Sequence, residues 1–460
     1  MDAGHAAGHV DPFAGVLLAL AAVTAAALAG RWLAQRAGLA SVVGELSIGV
    51  AIGNTGYQLG DPLATLVMHG ANVTELLREA WLSSEGIAVT LREHVAAAYI
   101  GGDAAAARAL GALQGPDGPA LLAILAALWV FSNLGVILLL LMVGLESSIE
   151  GLLRVGARAS AVAVAGVIAP FALGYLASTW LLAYAGTATH LFVGATFTAT
   201  SVGITARVLR DLGRMESREA QMILGAAVID DVLGLVILAV VVGIAESGRL
   251  ELASVARIGL LSAAFLAAVL FAGERVGGWL ARLLSALERR HVKLLAPLVA
   301  AFAMAWLANA IGLAAIVGAF AAGLMLRDEQ FDADASHSAS LHETLAPLES
   351  IFAPVFFVLM GMQVNLELLL EPQTLALGAA FVAVAIVGKL VAGVFAGAGA
   401  NKWTIGLGMV PRGEVGLIFA SIGKQLGVVD AAVFSAVVTM VMVTTLVAPL
   451  GLSWSLRRAG

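Results

Sequence analysis

The sequence predicts an all-α, polytopic membrane protein with about thirteen transmembrane helices, and three observations carry that prediction. Of 460 residues, 60% are hydrophobic and 12% charged, with a mean hydropathy of +0.97; a soluble protein carries about 25% charged residues. Apolar runs of about 20 residues, the length that crosses a bilayer core, recur along the whole chain. The Lys and Arg residues fall mainly on one set of connecting segments. A water-facing surface cannot be assembled from this composition. A chain in lipid must satisfy its own backbone hydrogen bonds, and helices do so.

Taken in order, spans are expected near 13–30 and 40–56, with boundaries good to a few residues. The stretch before the first, "MDAGHAAGHVDPF", lacks the basic region of a cleaved signal peptide. Residues 57–118 form a mixed insertion containing "TELLREAWLSSEGIAVTLREHVAAAY", too polar to span. It is expected outside the membrane, as amphipathic surface helices or a cap over neighbouring ones, with no catalytic pattern. Further spans follow near 119–145, 159–185, 191–209, 220–245, 253–285, 294–311, 313–326, 346–363, 373–398, 403–426 and 432–452. With the N-terminus outside, Arg31, Arg36, Arg154, Arg158, the arginines of 207–218, those of 275–290, Lys293, Arg327, Lys402, Arg457 and Arg458 fall inside. Arg78, Arg92, Arg108, Arg249, Arg257 and Lys424 stay outside, as the positive-inside rule asks. Lys389 and Arg412 belong to neither set, because both lie within spans.

Two stretches echo each other. "LMVGLESSIEGL" (141–152) aligns with "VLMGMQVNLELL" (358–369), placing Gly144 on Gly361 and Glu150 on Glu367. Each ends a span, each precedes three more, and the parity of the intervening spans points them in opposite directions. Inverted repeats of this kind are a transporter signature. The domains expected are N-terminal helices at 1–56, the insertion at 57–118, a first repeat at 119–245, a connecting group at 246–345 and a second repeat at 346–460.

The chemistry concentrates in "AAVIDDVLG" (226–234), inside an apolar run. An ionised Asp at a bilayer centre costs about 2.5–3.5 kcal/mol on the gentlest scale, and two neighbours disfavour each other's charge. Adjacent helical residues diverge by about 100°. One of Asp230 and Asp231 can therefore face a water-filled cavity while the other faces a helix partner. A carboxylate that binds either a proton or a cation, but not both, exchanges them by competition. Lys389, mid-span in "AIVGKLVAGVFAGAG", is the expected counter-charge, since a buried Lys needs a carboxylate or loses its proton. Two spans look broken. "GATFTATSVGITARV" (194–208) is crowded with Thr196, Thr198, Thr200, Ser201, Gly203 and Thr205, and "GLGMVPRGEVGLI" (406–418) holds Pro411, Arg412, Gly413 and Glu414. Proline removes a helix hydrogen bond and glycine permits irregular backbone, and unwound segments expose carbonyls and helix ends to ions. Small-residue helix packing is the plain alternative for the Thr/Ser stretch. Arg412 is expected to pair with a carboxylate, with Glu414 and Glu45 both available.

Other readings fall away. The chain has no cysteine, which excludes disulfides and thiolate metal sites. It has no phosphate loop, dinucleotide fingerprint or basic-aromatic nucleic-acid patch. His5 and His9 sit in a polar tail, and His337 and His342 lie in an inner loop where pH sensing is conceivable. An intramembrane aspartyl protease needs its two aspartates on different helices facing across a water, which adjacent positions cannot provide.

"TATSVGITARVL", "GAAVIDDVLG", "IVGAFAAGLML", "PVFFVLMGM", the mid-span "GK" and "PRGEVGLI" together resemble the cation:proton antiporter-2 family, over roughly residues 13–56 and 119–452. The resemblance implies a Na⁺/H⁺ antiporter-like fold: a homodimer with a dimerisation domain and a core holding two crossed, discontinuous helices, here 191–209 and 403–426. It implies that Asp231 is the principal cation and proton carboxylate, with Thr200 and Ser201 beside it. Asp230 would pair with Lys389, and Thr198, Gly203, Pro411, Arg412, Gly413 and Glu414 would support the breaks. Electrogenic exchange, an elevator-like movement and no cofactor beyond the transported ions also follow from it. The expected activity is Na⁺/H⁺ exchange in a plasma membrane of bacterial inner-membrane type, with K⁺ or Li⁺ as alternative cations. A sodium-coupled solute symporter of related fold and a passive channel are the rivals. Glutathione-gated members usually carry Gln-Asp and a soluble nucleotide-binding domain, so Asp-Asp in a sequence running to Gly460 disfavours that subgroup.

Overall fold

The computed structural model describes residues 12–37, 39–68, 111, 113, 115, 117–147, 149–247, 252–287, 291–331, 340–364, 366–367 and 372–458. Every α-helix among them is bounded as follows: α1 (Pro12–Arg36), α2 (Ser41–Gln58), α3 (Pro62–Met68), α4 (Gly118–Leu145), α5 (Ile149–Leu181), α6 (Thr187–Thr196), α7 (Val202–Asp211), α8 (Arg218–Ser247), α9 (Leu252–Leu287), α10 (Val292–Ala310), α11 (Ala315–Met325), α12 (Leu341–Met362), α13 (Pro372–Val394), α14 (Lys402–Met409), α15 (Glu414–Gln425) and α16 (Ala431–Arg458). Nine of the described helices are long and apolar enough to cross a membrane: α1, α4, α5, α8, α9, α10, α12, α13 and α16. The other apolar segments fall on α2, on the shorter α11 and on two interrupted pairs. The span expected at 191–209 is α6 and α7, parted at 197–201, and that at 403–426 is α14 and α15, parted at 410–413. Several helices outrun their expected limits. α5 begins at Ile149 and α16 reaches Arg458, because polar helical turns continue past the apolar stretch that hydropathy detects.

The chain divides into two compact units. The first comprises Met1–Gly30, Glu45–Asn133 and Pro354–Asn365. Its core joins Val23 and Ala27 of α1, Leu66 and Val67 of α3, Leu122, Leu125 and Leu128 of α4, and Val355, Val358 and Leu359 of α12. The start of the insertion is thus packed. Asp61 caps α3 by accepting from the Ala64 amide at 2.7 Å, and Ala64 through Met68 are buried. Residues 69–110, where the surface-helix expectation rests, lie outside the described residues.

The second unit comprises Arg31–Gly44, Leu134–Ala353 and Leu366–Gly460. Within it α5 packs on α6, α8 and α13, and α13 packs on α14 and α16. α6 meets α15 and α8, and α7 meets α8 and α16. Small side chains allow these close contacts: Ala159 and Ala163 of α5, Ala226 of α8 and Ala392 of α13 share one buried cluster. α9, α10 and α11 pack on one another, and α9 also lies against α8. The C-terminal part of α4 (Leu138, Leu141, Met142) and the start of α12 (Leu341, Leu345) share a core with Ala300 and Ala301 of α10 and Ala322 of α11.

The sequence echo has a packing cause in each unit. A Cβ on Gly144 would lie 2.3 Å from the Phe320 carbonyl oxygen of α11, and one on Gly361 2.2 Å from the Leu46 carbonyl oxygen of α2. Both positions demand glycine because another helix's backbone passes where a side chain would be.

Candidate functional site

The two helix breaks abut. Pro411 has no backbone N–H to donate, and α14 ends at Met409 with Val410 as its C-cap, still helical at φ −69° and ψ −39°. On the other side Ser201 is extended, with φ −87° and ψ 103°, ahead of α7. Each break satisfies the other's main chain. The Ser201 amide donates to the Pro411 carbonyl at 2.7 Å, the Thr205 hydroxyl to the Gly408 carbonyl at 2.7 Å, and the Thr200 hydroxyl to the Met409 carbonyl at 3.4 Å. Arg412 donates from Nη1 to the Ala199 carbonyl, while the Thr445 hydroxyl of α16 donates to the Arg412 carbonyl. Threonines and serines in an apolar span thus replace lost helix bonds.

Asp230 and Asp231 lie in the middle of α8 against this junction. Asp230 is 1% and Lys389 0% exposed, and Lys389 Nζ stands 3.1 Å from both carboxylate oxygens of Asp230. The Thr200 side chain is within hydrogen-bonding reach of Asp230, and the charges of Arg412 and Lys389 both act on that carboxylate. Asp231 points elsewhere on the helix, is 8% exposed, and its charge also reaches Lys389. Two carboxylates and two cations therefore share one buried pocket of formal charge zero. Gly166 of α5 gives the ammonium room, since a Cβ there would sit 3.5 Å from Nζ. A cavity of about 180 Å³ between α5, α8, α9 and α11 reaches Gly225, Val228 and Ile229. Residues three apart share a helix face, so the cavity ends one turn from Asp231 on its side of α8.

The structure brings Asp230, Asp231, Lys389, Thr200, Ser201, Pro411 and Arg412 together. Thr198 instead donates to its own helix at Ala195, and Gly203 faces Val136, Leu139 and Leu140 of α4. Gly413 caps α15. The side chain of Glu414, and His5, His9 and His337, lie outside the described residues. For Arg412, sequence left Glu414 and Glu45 open; the guanidinium turns to the main-chain carbonyl of Ala199. Glu45 is itself fully buried. Sequence reasoning missed Gly166 and Thr445, one glycine and one threonine among many in apolar helices, with no local signal to single them out. Among the described residues no cluster of three or more His, Asp or Glu could hold a metal ion.

A polytopic helical chain with two abutting helix breaks around buried ionisable groups has the architecture of a secondary transporter. The family described as "Sodium/hydrogen exchanger, transmembrane" matches residues 99–458. The chain is 36% identical over 445 residues, 95% of its length and 88% of the relative's, to the high-affinity Na⁺/H⁺ antiporter NhaS3 of Synechocystis. It is 34% identical over 330 residues, 69% of its length and 80% of the relative's, to the Na⁺/H⁺-K⁺ antiporter GerN of Bacillus cereus. Its fold is similar to that of the sodium proton antiporter MjNhaP1 from Methanocaldococcus jannaschii at pH 8, with a TM-score of 0.54 and 14% identity over 96% of this chain and 98% of that one. The chain belongs to the transmembrane sodium/hydrogen exchanger family.

Proposed function

We propose that this protein exchanges Na⁺ for protons across a membrane, with Asp231 as the carboxylate that H⁺ and Na⁺ contest. The observation that carries the reading is the buried Asp230–Lys389 pair, 3.1 Å apart and next in sequence to Asp231, set against two helix breaks. Oxygen ligands suit an alkali cation, and Asp231, the Thr200 hydroxyl and carbonyls of the breaks are the oxygens that would supply them. Protonated Asp231 has no charge to hold Na⁺, and a bound Na⁺ repels an incoming proton and so disfavours protonation of the carboxylate. The two ions therefore use the site in turn.

Electrogenic exchange is carried over from the family resemblance, and Lys389 offers a second proton for it. The pocket's formal charge of zero rises by one when Na⁺ binds, and Lys389 can give up a proton to relieve it. If protons on Asp231 and on the Asp230–Lys389 pair both move per Na⁺, each cycle shifts one net positive charge. The elevator movement is carried over from the family resemblance; a cavity among α5, α8, α9 and α11 is where α8 would slide on its neighbours. The homodimer and an N-terminus-outside orientation in a bacterial-type inner membrane are carried over from the family resemblance and the Lys/Arg asymmetry. K⁺ is the second cation to test, because the similar protein GerN is named for Na⁺/H⁺-K⁺ antiport.

The test is dye-monitored proton movement in proteoliposomes titrated with Na⁺, K⁺ and Li⁺, with the membrane potential clamped or free. Asp231→Asn is expected to abolish cation-induced proton movement while the protein still folds. Normal exchange by that variant would overturn the assignment. Rates unaffected by the clamp would overturn the electrogenic part, and cation flux without counter-moving protons would indicate a channel.

A further inference from the structure

The turn that joins α13 to α14 gathers charge that the exchange site does not use. From Ala396 to Ala400 it reads "AGAGA", with no side chain larger than a methyl. Gly397 and Gly399 sit at φ +82° and +80°, a left-handed backbone that suits glycine. Two arginines from other helices close on these glycines. A Cβ on Gly397 would lie 2.6 Å from Nη1 and 2.8 Å from Cζ of Arg158 of α5. One on Gly399 would lie 3.4 Å from Nη1 of Arg218, the first residue of α8. Lys402 follows as the first residue of α14.

The turn is fixed without matching these charges. Arg158 donates from Nη1 to the Ala398 carbonyl at 3.3 Å, a bond that leaves its positive charge uncompensated. Glu219, next to Arg218 in sequence, accepts from the Asn401 amide at 3.0 Å. The Asn401 side chain in turn accepts from the Trp403 and Thr404 amides at 3.1 Å each. Among the described residues no carboxylate forms an ion pair with Arg158, Arg218 or Lys402. All three side chains are exposed, as are Ala398 and Gly399. Three cations against Glu219 leave the patch positive.

Apolar side chains adjoin the patch. Val394, Phe395 and Trp403 flank the turn, and each is more than half exposed. Val387, also exposed, lies two turns before Val394 on the same face of α13. In a chain that spans a bilayer such a face meets acyl chains, and tryptophan favours the level where hydrocarbon gives way to headgroups. The cations thus stand at headgroup level beside an acyl-facing stripe. That juxtaposition selects the occupant by charge and polarity: one molecule that carries both an anionic phosphodiester and long apolar chains. A guanidinium pairs well with phosphate, and the methyl-sized turn lets a headgroup approach the backbone.

We propose that Arg158, Arg218, Lys402 and the turn at 396–400 form a binding site for an anionic phospholipid. Its headgroup phosphate lies against the two guanidinium groups, and an acyl chain follows Val394 and Val387 along α13. Under the orientation drawn from the Lys/Arg asymmetry, this is a lipid of the inner leaflet. None of these residues belongs to the pocket of Asp230, Asp231 and Lys389, so the site goes beyond the antiport reading. α5, α8 and α13 nevertheless carry Gly166, Asp230 and Lys389, and a lipid bridging the ends of those helices strengthens the packing that holds the ion pocket together.

The experiment titrates delipidated protein in a neutral detergent with phosphatidylglycerol or phosphatidylcholine of the same chains, reading bound lipid by native mass spectrometry beside the thermal midpoint. Each cation near an anionic headgroup is worth about fivefold in affinity, so wild type should prefer phosphatidylglycerol by about 100-fold and gain thermal stability from it. Arg158→Gln combined with Arg218→Gln should leave a preference of about fivefold. Arg275→Gln combined with Arg282→Gln, which removes two exposed arginines of α9, should leave the wild-type preference. An undiminished preference in the first double variant, or an equal loss in the second, overturns the site. An equal thermal gain from inorganic phosphate or glycerol phosphate would assign the patch to free phosphate and overturn the lipid. If the Gln variants do not fold, wild type decides. Phosphatidylglycerol with a photoreactive group at the top of its acyl chain should label residues 394–403, and labelling confined to other segments refutes the proposal.

Discussion

Replacing Lys389 by Ala should destabilise the protein most where Asp230 is ionised. The ammonium is fully buried and sits 3.1 Å from both oxygens of an equally buried carboxylate. Removing one member of a buried pair leaves an uncompensated charge, at a cost of about 3–5 kcal/mol. Unfolding entropy near 2.1 cal/mol/K per residue over 460 residues is about 1 kcal/mol/K, so Tm should fall by about 3–5 °C. The protein's eight tryptophans make intrinsic fluorescence during a thermal ramp a suitable assay in detergent at several pH values. Lys389→Ala combined with Asp230→Asn removes both charges and should recover most of the loss, which a double-mutant cycle measures directly. An unchanged Tm for Lys389→Ala at pH 8, or a double variant no more stable than the single one, would refute the reasoning.

Two further substitutions test the packing around the site and the repeats. Gly166→Ala should behave like wild type, because its Cβ would meet Ala392, Lys389 Nζ and Met409 at 3.4–3.7 Å, ordinary contact distances. Gly166→Leu should push the ammonium off Asp230 and lower cation-induced proton movement in the vesicle assay; equal activity of the two Gly166 variants would show that the ammonium has room to spare. Gly361→Ala should cost about 1–3 kcal/mol, the usual price of overpacking, because its Cβ would lie 2.2 Å from the Leu46 carbonyl oxygen. A thermal midpoint indistinguishable from wild type would show that α2 and α12 can separate freely.

Much of the fold was legible because a bilayer imposes a length and a polarity on each span. The apolar runs located α4, α8 and α13 to within a few residues, and Thr/Ser crowding and Pro411 marked both helix breaks. The insertion was less legible. Residues 62–68 pack into a core as α3, since a short apolar stretch in a polar segment carries no periodicity that distinguishes burial from surface. For the site, charge inside an apolar run is a loud signal, and it marked Asp230, Asp231, Lys389 and Arg412. Their partners were quiet. Thr445 and Gly166 look like any threonine or glycine of an apolar helix, and the turn of Arg412 toward Ala199 uses a main-chain carbonyl that every residue possesses.

By itself the sequence determined which groups must be costly in a membrane, because the expense of burying a charge depends on residue type and span position alone. Only the tertiary structure decided who compensates whom. The breaks at 197–201 and 410–413 complete each other's hydrogen bonds, and His342 meets Glu146 across 196 positions of chain. Those pairings depend on distances between segments far apart in sequence, and such distances exist only once the helices have packed.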